Sequence, residues 1–128
     1  MSIYELSGTS PIVPVSDLAA TVRFYIESLG FEQVIDNRNY GYALVRRGDA
    51  LIALSQTNDA TALQATSSNI AAQIWVDDVD RLWGDVGDKL SELPEGRVRA
   101  PFEQSYGTRE MHVKCPDGFL IFFTQNLP

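Results

Sequence analysis

The sequence is poor in three things that whole classes of function require: cysteine, basic residues and long apolar runs. Its 128 residues include one cysteine, Cys115, which excludes an intramolecular disulfide and a zinc site built from several thiolates. Lysine and arginine number 10 against 17 aspartate and glutamate, a net charge of −7, which argues against a nucleic-acid partner. No run approaches the roughly 18 apolar residues of a membrane helix, so no membrane partner is expected.

The remaining composition predicts an ordinary globular protein. With 45% hydrophobic and 21% charged residues, residues 1–128 are predicted to form one domain. The N-terminal segment lacks a basic stretch followed by an apolar one, so we expect no secretory signal and a cytoplasmic location. The acidity is compatible with a cationic ligand, because a negative cleft concentrates positive solutes, although many soluble proteins are simply acidic.

Two stretches of the chain look like copies of one unit. Residues 10–31 contain an alternating apolar strand, the cluster Val-Ser-Asp-Leu at 15–18 and then a helix. Residues 69–93 repeat this order around Val-Asp-Asp-Val at 76–79. The offset between the clusters, 76 − 15 = 61 residues, is about half of the chain. Such a duplication predicts two similar sheets with a groove between them.

The hydrophobic pattern predicts β-α-β-β-β in each unit. In residues 10–56 we predict strands near 12–15, 31–36, 40–46 and 50–56 and a helix near 18–28. In residues 69–125 we predict strands near 71–76, 98–101, 109–114 and 119–125 and a helix reaching about 93. Asp17 and either Asp77 or Asp78 are the expected N-caps. Residues 57–69 read as a polar linker, with room for a short helical turn at 60–65.

Several short motifs in this order resemble the vicinal oxygen chelate superfamily, which includes glyoxalase I, extradiol dioxygenases, fosfomycin resistance proteins and bleomycin resistance proteins. The motifs that carry the resemblance are Val15-Ser16-Asp17-Leu18, Phe24-Tyr25, Leu29-Gly30-Phe31, Val76-Asp77-Asp78-Val79, Tyr106-Gly107 with Arg109-Glu110, and Pro116-Asp117-Gly118. The pattern is closest to bleomycin resistance proteins. The resemblance implies an α+β fold of paired β-α-β-β-β modules that form a curved sheet with a groove, completed in a strand-exchanged dimer.

The enzymes of this superfamily hold a divalent metal with about four protein ligands, typically His or Gln on the first strand of each unit and Glu on the last strand. The corresponding positions of this sequence are Ser10, Ala53, Ala71 and Phe122. None of these is a usual metal ligand. We therefore expect no metal, no cofactor and no catalytic residue of the superfamily type.

Glu110 and His112 require separate consideration. They lie two residues apart on a predicted strand, so their side chains point to one face. Such a pair can be two metal ligands or an acid–base pair, or a half-buried polar pair at a sheet margin. The first two interpretations correspond to a glyoxalase-like lyase or isomerase with displaced ligands.

The resemblance implies that the metal-ligand positions point into the groove, and alternation adds the residues two positions away on the same strands. These residues are Ser10, Ile12 and Pro14; Leu51, Ala53 and Ser55; Ala71, Gln73 and Trp75; Leu120, Phe122 and Thr124. The lining is apolar with few polar anchors, as in small-molecule sites, although a packed interior uses the same residue types.

Aromatic and acidic residues on the predicted rim extend this interpretation. The resemblance implies that Tyr40 and Tyr106 occupy places where bleomycin resistance proteins stack the flat bithiazole of the drug, the second place being usually Trp. Glu103, with Asp36 and Asp59, could supply negative charge to a cationic tail.

The sequence therefore predicts a metal-independent binding protein that sequesters a flat, cationic small molecule such as a bleomycin-type antibiotic; an immunity or carrier module would use the same mechanism. Its expected partners are this ligand and a second copy of the chain, with Pro11 and Pro14 holding an exchanged N-terminal strand extended. The predicted ligand-binding residues are Tyr40, Ser55, Gln73, Trp75, Glu103, Tyr106, Arg109, His112 and Phe122.

Overall fold

Two β-α-β-β-β modules follow each other along the chain, as the repeat predicted. The computed structural model describes residues 3–128. The first module consists of β1 (Ile12–Val15), α1 (Leu18–Leu29), β2 (Glu32–Asn37), β3 (Tyr42–Arg47) and β4 (Ala50–Gln56). Helix α2 (Ala60–Asn69) connects it to the second module, which consists of β5 (Ala71–Trp75), α3 (Val79–Leu90), β6 (Val98–Gln104), β7 (Thr108–Lys114) and β8 (Leu120–Asn126).

Each module forms one four-stranded mixed sheet. Sheet A has the strand order β1-β4-β3-β2 and sheet B the equivalent order β5-β8-β7-β6. The first and last strands of each module pair in parallel, and the other pairs are antiparallel. The predicted α+β class with paired modules is thus confirmed. In residues 3–128 no helix combines the length and the apolar character needed to span a membrane.

The helix of each module begins with the same two interactions, an aspartate N-cap and a hydrogen bond from the first helical N–H to a glutamine side chain. The carboxylate of Asp17 caps α1, and the side-chain oxygen of Gln56 at the end of β4 accepts a hydrogen bond from the backbone N–H of Leu18 at 3.1 Å. Asp78 caps α3, and Gln125 of β8 accepts the corresponding backbone hydrogen bond at 2.9 Å. Because the last strand of each module binds the start of its helix, the duplicated motifs fix the duplicated geometry.

Several predicted segments differ from the structure: the linker, the start of β3, the end of α3, which stops at Leu90, and the end of β6. The predicted linker contains the ten-residue helix α2 (Ala60–Asn69) instead of a short turn. Asp59 caps its N-terminus, and the hydroxyl of Thr66 donates a hydrogen bond to the carbonyl of Ala62. Tyr40 lies in a short 3-10 turn rather than at the start of a strand. Gly41, with φ 69°, follows that turn in the left-handed region and delays β3 to residue 42.

The hydrophobic core lies on one face of each sheet, beneath the helices. Helix α1 covers sheet A, α3 covers sheet B, and the two helices contact each other, so both modules share one core. Its largest fully buried side chains include Tyr25, Leu29 and Phe119. We call the opposite side of each sheet its free face, since no helix covers it.

A polar contact joins the two modules near the chain reversal at residues 116–118. The carboxylate of Asp117 accepts hydrogen bonds from the backbone N–H of Ser16 at 2.9 Å and from its hydroxyl at 2.7 Å. Asp117 has φ 69°, a left-handed conformation that Asp tolerates better than most residues. The loop that starts α1 is thereby bound to the turn that precedes β8.

Replacing Asp117 by Ala should lower the free energy of unfolding by about 1–2 kcal/mol, because two hydrogen bonds are lost and Ala is strained at this φ. Asp117→Asn, which keeps one acceptor and tolerates the left-handed region, should cost less. Urea unfolding of both variants measures the difference. Equal stability of Asp117→Ala and the wild type would show that this contact does not join the modules.

Candidate functional site

One row of side chains on the free face of sheet A is aliphatic, whereas the neighbouring row consists of Pro14, Ser55, Tyr42 and Asn37. The strand register aligns Ile12, Ala53, Leu44 and Ile35 in one row across its four strands. Ile12 is 71% exposed and Ile35 is 43% exposed, so nothing within residues 3–128 covers the ends of this row. The exposed apolar ends of the row make it a candidate interaction surface.

The free face of sheet B has different chemistry at the equivalent positions. One row across the strands consists of Gln73, Phe122, His112 and Arg99, four side chains with planar ends. The next row consists of Trp75, Thr124, Glu110 and Phe102. The two sheets therefore share a backbone plan, but sheet A has an aliphatic row where sheet B has a row of aromatic and hydrogen-bonding side chains.

Glu110 is the centre of the hydrogen bonding on this face. Its side chain is buried, with 0% of the residue exposed. It accepts hydrogen bonds from Gln104 (3.2 Å), Tyr106 (3.2 Å), Thr108 (2.9 Å) and Nε2 of His112 (2.9 Å). Burial alone would raise the pKa of Glu110, but these four donors, His112 foremost, lower it below its ordinary value. The carboxylate is thus held ionised and fully occupied.

The same contacts orient His112 and Tyr106. An ionised carboxylate only accepts, so Nε2 of His112 carries the proton. The imidazole stacks on Phe122 with ring centroids 4.0 Å apart and meets the edge of Phe102 at 4.9 Å. Tyr106 reaches over the face from the turn between β6 and β7, and burial together with Glu110 raises the pKa of its hydroxyl. Its ring remains exposed to a ligand, since 65% of the residue is accessible.

The donor set does not fit the divalent metal of the superfamily's enzymes. Ser10, Ala53, Ala71 and Phe122 occupy the expected ligand positions, and none supplies an imidazole or carboxylate. Within residues 3–128 no three His, Cys, Asp or Glu side chains group together as a metal site would need. Glu110 and His112 are hydrogen-bonded to each other, and within the described residues no third metal-binding side chain lies with them.

The single cysteine does not provide a nucleophile either. Cys115 is buried behind α1, and burial raises the pKa of its thiol to about 12. The reactive thiolate is therefore scarce at neutral pH.

The structure brings most of the predicted site residues together and separates others. Gln73, Trp75, Tyr106, His112 and Phe122 all lie on the free face of sheet B. A cleft of about 610 Å³, lined by Gln73 and Trp75 and by Leu51 of β4, opens beside β5. We call the five residues Gln73, Trp75, Tyr106, His112 and Phe122 the sheet B site.

Four other predicted residues lie elsewhere. Ser55 is on the free face of sheet A, and Tyr40 is 84% exposed in the turn before β3. Arg109 and Glu103 face the helix-covered side, where the guanidinium of Arg109 makes two 2.9 Å hydrogen bonds to Asp80 of α3. Strand alternation explains the separation, because Arg109 is one residue away from Glu110.

Sequence reasoning missed Arg99 and Phe102 as members of this face. The strand β6 continues to Gln104 instead of ending near 101, and a bulge between Arg99 and Phe102 shifts its register. This bulge brings Phe102 opposite Glu110. The alternating pattern of β7 could have suggested a longer partner strand, but no residue signals the bulge.

Replacing Glu110 by Gln should make the free energy of unfolding less dependent on pH in the acidic range. The folded pKa of Glu110 is lowered, so its contribution is present above its unfolded pKa, near 4.5, and is lost as pH falls through the folded value. Unfolding free energies measured from pH 7 to pH 3 should fall more steeply for the wild type than for Glu110→Gln. At pH 7 the variant should be less stable by about 1–3 kcal/mol, since buried donors lose a charged acceptor.

Glu103→Gln, on the helix-covered side of β6, is the matched control and should follow the wild-type curve. Parallel pH curves for the wild type and Glu110→Gln would contradict the assigned hydrogen bonding of Glu110.

Comparison with known proteins agrees with this geometry. No protein-family model matches the sequence, and no curated protein matches it. Among solved structures, the bleomycin-binding protein of Streptomyces verticillus, in complex with copper(II)-bleomycin, is 28% identical with a TM-score of 0.76, and the match covers 97% of this chain and 99% of that one. The bleomycin resistance determinant encoded on transposon Tn5 is 27% identical with a TM-score of 0.72, covering 92% and 96%.

A third structure shares the fold at lower identity. It is a member of the glyoxalase/bleomycin resistance protein/dioxygenase superfamily from Sphaerobacter thermophilus, 22% identical with a TM-score of 0.66, and the match covers 93% of this chain and 96% of that one. The chain is thus similar in fold, over nearly its whole length, to a bleomycin-binding protein, to a bleomycin resistance determinant and to a member of the glyoxalase/bleomycin resistance protein/dioxygenase superfamily.

Proposed function

We propose that the protein binds and sequesters a flat small molecule, cationic overall, such as a bleomycin-type antibiotic, without a metal of its own. The observation that carries the proposal is the sheet B site, which offers exposed aromatic rings and fixed polar groups where the superfamily's enzymes place metal ligands. The bleomycin-binding protein and the bleomycin resistance determinant, at 28% and 27% identity, support the same conclusion. Capture of this kind would act stoichiometrically, in the cytoplasm.

The exposed aromatic side chains suit a flat heteroaromatic ligand. Trp75 is 60% exposed and Tyr106 is 65% exposed on the same face. Each stacked pair of rings contributes about 0.5–1.5 kcal/mol beyond the burial of area. The net charge of −7 would in addition favour the approach of a cationic molecule.

A second copy of the chain completes the groove in this proposal. Among residues 3–9, Ile3 is 98% exposed, Leu6 is 93% exposed and Tyr4 is 73% exposed, an unusual density of uncovered apolar side chains. We infer that this N-terminal arm packs on a partner, and that the free face of sheet A closes over the sheet B site of that partner. A two-fold dimer of this kind has two identical grooves.

Binding is favoured over a glyoxalase-like reaction for a chemical reason. The lyase alternative needs Glu110 or His112 free to hold a metal or to move a proton. Glu110 already accepts four hydrogen bonds, one of them from His112. Releasing this carboxylate would leave the buried hydroxyl of Thr108 without its acceptor, at a cost of about 1–3 kcal/mol, and would break three part-buried hydrogen bonds as well.

Titration with metal-free bleomycin, followed by tryptophan fluorescence, tests the ligand. We expect saturable quenching that persists in EDTA, and Trp75→Phe should remove most of the signal. Tyr106→Ala should weaken binding by about 2- to 12-fold, the range that one stacked ring pair provides. Tyr106→Phe keeps the ring and is the control, with an affinity near that of the wild type. Loss of binding in EDTA, or full affinity of Tyr106→Ala, would contradict the proposed mode of binding.

Sedimentation equilibrium tests the dimer. The wild type should sediment as a dimer at micromolar concentration, and Leu6→Glu should shift it towards monomer, because a charge then replaces an apolar group in the interface. Ala19→Glu adds the same charge at an exposed position of α1, outside the arm and sheet A, and should leave the dimer intact. A monomeric wild type would exclude the two-copy groove.

A further inference from the structure

Two basic side chains flank His112 on the free face of sheet B. Arg99 lies directly across from His112 on β6, and Lys114 follows two residues later on β7, on the same face. Both residues are exposed. The guanidinium of Arg99 lies over the ring of Phe102, 3.4 Å from its centroid. The basic pair therefore borders the sheet B site at its His112 end.

Neither basic group is neutralised by a carboxylate of the described chain. Ion pairs within residues 3–128 bind Arg38, Arg46, Arg47 and Arg109 to aspartate or glutamate, but not Arg99 or Lys114.

The carboxylates in the strands of sheet B cannot serve this purpose. Glu103 faces the helix-covered side, opposite Arg109. Glu110 is buried and already accepts four hydrogen bonds. An acidic protein of net charge −7 thus presents a local positive patch at one end of its candidate site.

We propose that Arg99 and Lys114 form a subsite for an oxyanion, foremost a carboxylate, borne by a flat aromatic ligand. The inference rests on the proposed binding function and adds to it the charge of the group that reaches this end of the site. The overall acidity of the protein attracts a cationic molecule at long range, and the subsite selects among flat molecules at contact.

The arrangement has the features that recognition of a carboxylate requires. A guanidinium offers two parallel N–H donors to one carboxylate, and its stacking on Phe102 restricts its orientation before the ligand binds. The stacked rings of His112 and Phe122 provide an adjacent apolar wall for the aromatic part. Lys114 adds a second charge without a fixed geometry.

Three naphthalene probes that differ mainly in charge test this subsite: 2-naphthoate, the neutral 2-naphthamide and the cationic 2-naphthylmethylammonium. Titration calorimetry at low salt should show 2-naphthoate binding about tenfold more tightly than 2-naphthamide, with the cation weakest. Arg99→Gln should bring the affinity for 2-naphthoate to that for the amide and leave the amide unaffected. Lys114→Gln should reduce the preference partially.

Arg81→Gln is the matched control, because Arg81 is an exposed arginine on α3 and lies outside the sheet B site. It should keep the full preference for 2-naphthoate. High salt should reduce the preference in the wild type, since charge pairs near solvent are screened.

Four results would overturn the subsite: tighter binding of the cationic probe, an unchanged probe preference in Arg99→Gln, no saturable binding of 2-naphthoate, or dissociation of the dimer by Arg99→Gln. The last would show that Arg99 binds a carboxylate of the second copy. Bleomycin binding tests the proposed function separately. If bleomycin binds but the probes show no charge preference, only the subsite fails; if 2-naphthoate binds through Arg99 but bleomycin does not, the antibiotic is the wrong ligand and the subsite stands.

Discussion

The buried carboxylate of Glu110 is the constraint on which the candidate site depends. A charge with no exposure to water requires donors, and four side chains supply them. Meeting this requirement places Tyr106 over the sheet, fixes the tautomer of His112 and holds its ring against Phe122. The hydrogen bonds to one buried carboxylate thus orient the aromatic side chains of this face and occupy the Glu110–His112 pair that a metal would need.

The duplicated modules show how one backbone plan gives two surfaces. The helix caps at Asp17 and Asp78 are equivalent, and so are the strand orders of the two sheets. One pair of equivalent free-face rows nevertheless differs completely: sheet A has four aliphatic side chains, of which Ile12 and Ile35 are exposed, where sheet B has an amide, a phenyl, an imidazole and a guanidinium. A groove built from both surfaces would hold a flat molecule between an apolar wall and a polar, aromatic one.

Sequence reasoning predicted what alternation and duplication determine. The two modules, their helix starts, and the common face of Gln73, Trp75 and Phe122 follow from periods of two residues and from capping residues. The sequence could not give the positions that depend on how the strands pair in the folded protein. Arg109 and Glu103 resemble site residues by position in the motif, but they face α3. The bulge in β6 that brings Phe102 to Glu110 has no local signal.

Chemical-shift mapping of the labelled protein with metal-free bleomycin, in EDTA, tests the central claim most directly. The account predicts saturable shifts of the His112 imidazole and of the amides around Phe122, together with shifts on the free face of sheet A. Another cleft of about 370 Å³, between α1 and β2 and lined by Leu18, Val22 and Arg23, offers a rival location. Shifts confined to that cleft, with His112 and Phe122 unchanged, would contradict the account.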